Sequence, residues 1–154
     1  MGITSSLVNT FKTELLKGLH SFDTSGATPA GSVFKIALYT NSTTIDTTTT
    51  AYGGPTNELP ATGGYSTGGN TLTNTGVGTT TVTSFTDFSD TSWTSASFTA
   101  RGCLIYNSST ITGLTTDAAV CGFTFGGDKT VSSGTFTIQF PTNDASDAII
   151  RLTS

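Results

Sequence analysis

The chain is poor in charge. Asp, Glu, Lys and Arg make up 10% of its 154 residues, against roughly 25% in a typical soluble domain. Its six cations, Lys12, Lys17, Lys35, Arg101, Lys129 and Arg151, are scattered along the sequence. Without a clustered basic face there is nothing to neutralise phosphates, which excludes nucleic-acid binding. His20 is the only histidine, so Ser-His-Asp or Cys-His catalysis would have to run through it. The sequence holds no G-x-S-x-G elbow, and its paired glycines lack the context of a phosphate loop. A zinc site would exhaust His20, Cys103 and Cys121. Asp87 with Asp90, and Asp144 with Asp147, read as turn-forming residues rather than calcium ligands. Neither Glu14 nor Glu58 has a fixed carboxylate partner for glycoside hydrolysis. We therefore expect no enzyme: no catalytic residues, no cofactor and no metal.

Long hydrophobic runs are also missing, which argues against a membrane span. The N-terminus lacks the basic and apolar regions of a secretory signal. Gly2 followed by Ser6 fits the bare myristoylation pattern, a short match that reads as chance. Two cysteines are too few for a disulfide scaffold. Cys103 and Cys121 are equidistant from Thr112, so a hairpin centred on 108–116 would set them opposite each other. Two readings stand: a cross-strand bridge, or two buried thiols, the second favoured by folding in a reducing cytosol.

What the chain does have is Thr, Ser and Gly in quantity, with ten Phe, four Tyr and one Trp. Aromatic side chains bury a large area each and can build one modest core from few aliphatics. The interleaving of strand-favouring and turn-favouring residues predicts a mainly β chain. A net charge of only −4 together with the aromatics argues against disorder.

Leu7, Val8, Phe11, Leu15, Leu19 and Phe22 recur at helical spacing and predict an amphipathic helix within 4–24, with Thr4, Ser5 and Ser6 offering the N-cap and Gly26 following the end. Its apolar stripe packs either on the sheet or on other subunits. Residues 32–40 alternate as a strand. Residues 41–69 form a long polar segment, a candidate contact loop. Further strands are predicted within 70–82 and at 83–88, 93–100, 101–106, 118–125, 134–140 and 148–152, with turns at 126–128 and 143–147. The fold expected is a single domain over 1–154: an antiparallel β-sandwich, jelly-roll-like, over 32–154, preceded by the N-terminal helix.

Five stretches carry a resemblance: FKTELLKGLHSF (11–22), FKIALYT (34–40), NELPATGGYSTGGNTLT (57–73), FTDFSDTSWTSASFTARGCLIYN (85–107) and DKTVSSGTFTIQFPTNDASDAIIRL (128–152). Together they resemble small virion structural proteins of tailed bacteriophages. That resemblance implies an accessory virion component assembled in the host cytoplasm, and brings no catalytic residues with it. The expectation is a capsid decoration, or cement, protein that bridges major capsid subunits as a homo-oligomer, with a trimer favoured. Leu7, Phe11, Leu15 and Leu19 of the helix and Tyr52 and Tyr65 of the loop are the expected interface. The alternatives are a tail, neck or baseplate component, and a host-surface module that stacks glycan on Tyr52, Tyr65 or Trp93.

Overall fold

The structure is a computed structural model that describes residues 2–25 and 31–154. Gly26, expected to follow the helix, lies outside them. The elements are β1 (Ser6–Leu7), α1 (Asn9–Leu16), β2 (Phe34–Tyr39), β3 (Asn70–Thr71), β4 (Asn74–Thr79), β5 (Thr83–Phe88), β6 (Thr91–Asn107), β7 (Ala118–Ile138) and β8 (Ile150–Thr153). They build two antiparallel sheets, in the orders β1-β7-β6-β2-β3 and β4-β5-β8. Residues from both sheets join one apolar core, as expected of a β-sandwich. Phe34 of β2 meets Phe88 of β5 with ring centroids 5.3 Å apart, and Phe22 stacks on Phe34 at 4.5 Å. Among the described residues no helix is long and apolar enough to cross a membrane.

The helix is far shorter than the apolar spacing predicts. Its start is displaced because Ser6 and Leu7 pair with Gly122 and Cys121 of β7, and the Val8 amide donates to the Val120 carbonyl. Val8, not Thr4 to Ser6, stands at the N-cap, without a side-chain cap. Gly18 sets the end. At φ +71° it lets its own N–H reach the Leu15 carbonyl and the Leu19 N–H reach the Glu14 carbonyl, both at 3.0 Å. This is a Schellman closure, which glycine adopts without a Cβ penalty.

Two pairs of predicted strands are fused. Residues 93–106 lie in β6 and 118–138 in β7, forming one long hairpin. The turn expected at 126–128 is instead an irregularity inside β7, where residues 125–128 stand against Arg101 alone. Bulges of this kind bend and twist a strand without ending it. The segment 41–69 is tied down rather than free. Ile45 exchanges backbone hydrogen bonds with Gly2 and Thr4, Tyr52 donates to the Asp117 carbonyl, and Leu59 donates to the Leu38 carbonyl.

Candidate functional site

All four tyrosines of the chain gather around Glu58, one of the two carboxylates of the long loop. Glu58 accepts from the Tyr52 hydroxyl at 2.5 Å on one oxygen, and from the Tyr65 hydroxyl and the Gly68 amide at 2.6 Å on the other. The Tyr65 oxygen in turn accepts the Leu38 amide at 3.0 Å. Tyr106 donates to the Gly68 carbonyl at 2.8 Å, and its ring stacks on Tyr52 at 4.5 Å. Tyr39 reaches the Tyr52 carbonyl at 3.5 Å. Burial first, and then the hydrogen bond to Glu58, push the Tyr52 and Tyr65 phenols well above their usual range. Such a network stiffens the loop from inside. It also corrects part of the glycan reading. Tyr65 and Trp93 are buried, and one face of Tyr52 is covered by Tyr106, so these rings do not form an open stacking platform.

His20 does not face solvent or cap carbonyls, the usual fate of a histidine near a helix end. It is buried between Glu14 and Asn107. The Asn107 amide nitrogen can only donate, so its 3.0 Å contact makes His20 Nδ1 the acceptor. The proton therefore sits on Nε2, which donates to Glu14 at 3.1 Å. The other Glu14 oxygen accepts from the Thr115 hydroxyl at 2.6 Å and its amide at 3.0 Å. Burial raises the Glu14 carboxyl, but the Thr115 and His20 hydrogen bonds outweigh it and hold the group below its usual value. For His20 burial prevails over the pull of Glu14 and lowers its basicity. With both ring nitrogens engaged, the imidazole has no free position to activate a nucleophile. The cluster clasps the helix to the β6–β7 turn.

The six expected interface residues divide. Phe11 and Tyr65 are buried within this chain's own core, and Leu7, Leu15 and Tyr52 are half-buried against it. Leu19 is half-buried beside Gly113 of the β6–β7 turn. The helical stripe thus faces inward, because the short helix packs against β7; Leu16, 90% exposed, is the outward apolar residue.

Cys103 and Cys121 are free, buried thiols. Cys103 lies opposite Phe123, and Cys121 opposite Ile105: the hairpin closes on the pair Asn107–Ala118, one residue off the symmetric register, and Val120 adds a second residue of offset as an extra residue between the pairs Ile105–Cys121 and Tyr106–Ala119. Burial pushes the Cys103 thiol up to about 12. Neither is an activated nucleophile.

A groove of about 510 Å³ opens beside the second half of β7. Phe123, Phe125, Phe136, Ile138, Phe140 and Ile149 line it, all half-exposed, with Lys129 and Gln139 at its edge. The sequence marks this surface only as alternating aromatics in 123–140, a pattern that a buried strand face shares. Among the described residues no three His, Cys, Asp or Glu side chains stand together to hold a metal. No protein-family model, curated protein or solved structure matches the chain at a significant level.

Proposed function

We propose that this chain is a capsid decoration protein of a tailed-phage head, working by contact rather than by chemistry. The observation that carries the reading is the aromatic groove beside β7. It offers a continuous half-exposed apolar surface on a protein with few charges to desolvate. An apolar groove open at the surface can receive side chains of a partner, and sparse charge lowers the cost of covering it. In this reading each copy buries the groove against a major capsid subunit. The tied-down loop 41–69 and the long hairpin supply a rigid body that bridges neighbours, and the copies associate as a homotrimer.

The test is to image particles made with and without the chain. Density on the outer head surface, and heads that lose DNA on heating or in low salt when the chain is missing, are the expected results. Density confined to tail, neck or baseplate would replace this reading with the tail-component one. Heads equally robust without the chain would remove the cementing role.

A further inference from the structure

The Glu14–His20–Asn107 cluster is built so that one proton breaks it. Asn107 is locked in orientation: its side-chain oxygen accepts the Ser109 amide at 3.0 Å while its nitrogen donates to His20 Nδ1. A proton on Nδ1 would face the Asn107 NH₂, donor against donor. Turning the Asn107 amide over does not help, because its NH₂ would then face the Ser109 N–H. The new charge would also lie among rings, with Phe11 4.8 Å away and Phe34 stacked at 6.5 Å. The carboxylate facing it is Glu14, already engaged by Thr115. Asp23 lies on the wall of the groove that His20 shares with Leu15 and Phe22.

We propose that this cluster is an acid-sensitive latch: protonation of His20 unfastens α1 and its C-terminal extension from the β6–β7 turn, uncovering Phe11, Phe22 and Phe34 while the sheets stay folded. The direction follows from linkage. Closed, the imidazole is held neutral by burial and Asn107; open, it regains its ordinary value of 6.5. The open form therefore binds the proton more tightly and gains population as pH falls below that value. The local character follows from the structure: α1 is a single short helix, whereas β6 and β7 pair over most of their length.

Because His20 is the only histidine, its ring resonances in the untagged full chain need no assignment. Nitrogen-edited NMR at pH 7 is expected to show the Nε2–H tautomer, with a titration midpoint below 6.5. Amide exchange at Thr115 and Leu19, corrected for intrinsic rates, should accelerate severalfold between pH 7 and 5 as the open form gains population. The Leu104 and Ala37 amides of the sheet should remain protected. Unchanged exchange at Thr115 and Leu19 through the titration would overturn the latch, as would loss of Leu104 protection in step with theirs. The variant Asn107→Asp gives Nδ1–H an acceptor, and should move the midpoint above 6.5 and abolish the acid response. A folded variant that opens at the parent's pH also overturns the proposal; should the variant not fold, the parent's exchange profile decides.

Discussion

The Tyr65 hydroxyl stands between Glu58 and the Leu38 amide, donating to the first at 2.6 Å and accepting from the second at 3.0 Å. One phenol thus joins the long loop to the backbone of β2. Replacing it by Phe leaves a buried N–H without this partner and removes one donor from the carboxylate. Tyr65→Phe should cost about 1–3 kcal/mol, the penalty for orphaning a buried polar group. Tyr52→Phe removes a donor from a half-buried site and should cost less. Urea unfolding followed by the emission of Trp93, the one tryptophan, measures both. Equal losses, or none, would mean that Glu58 does not organise the loop.

Glu14 makes a separate contribution that depends on pH. Its folded value lies below the ordinary 4.5, so its stabilisation is complete above that pH and is lost as pH falls through the folded value. Asp87 acts in the opposite sense, because burial outweighs its hydrogen bonds from the Phe88 and Ile149 amides and raises its carboxyl. Only the difference between parent and variant isolates Glu14. At pH 7 Glu14→Gln should be less stable by about 1–3 kcal/mol, since an amide NH₂ must then face a donor. The gap should narrow below pH 4.5, where the parent's own carboxyl takes up its proton. A gap constant from pH 7 to pH 3 contradicts this account.

The two cysteines should behave as core residues. In the native protein at pH 8, alkylation of Cys103 and Cys121 should proceed only through unfolding, because the thiols are buried and burial raises both above their ordinary values. Intact mass after labelling in denaturant should show two modified thiols without prior reduction. A species resistant to labelling until reduced would restore the bridged reading and require a register shift in the hairpin.

That register shows where sequence reasoning stops. The alternation of Phe34, Ile36 and Leu38 announces β2, and the polar run 108–116 announces the β6–β7 turn. The bulge at Val120 has no comparable signature, and together with a turn that closes one residue off centre it displaces the cysteine pairing. Gly126 and Gly127 read equally as a turn or as an irregular stretch of a continuing strand, and only the partner strand decides. The apolar stripe runs past Gly18 to Leu19 and Phe22, which hides a legible stop signal in Lys17–Gly18. The inward direction of the stripe depends on β7, a strand more than 100 residues away in sequence. The Glu58 network was partly legible: one of only two carboxylates in a loop without cations, with tyrosines six residues before and seven after it.

Gly69 is fixed by a close approach. It sits at φ +66°, and a Cβ there would be driven onto the Ile36 carbonyl oxygen. Gly126 has a similar φ of +73° but open space around it. Gly126→Ala should therefore cost only the left-handed penalty of about 1–2 kcal/mol. Gly69→Ala adds a backbone clash between β2 and β3, and should leave little folded protein by circular dichroism. Comparable losses at the two sites would show that the chain relaxes around Gly69 and that the β2–β3 contact is soft.

The proposed contact function puts a specific demand on the groove. Gln139 is exposed at its edge, so Gln139→Glu should change stability by no more than about 0.5 kcal/mol, as surface substitutions do. If a capsid subunit covers the groove, however, the new carboxylate must be stripped of water, at several kcal/mol for an unpaired buried ion. Occupancy of heads by the variant should then fall at least about tenfold, equivalent to 1.4 kcal/mol. Thr112→Glu, exposed in the β6–β7 turn away from the groove lining, adds the same charge and should bind like the parent. The reverse pattern would move the contact surface to the hairpin turn. Parent-like binding by both variants would mean that the aromatic groove stays in solvent on the particle.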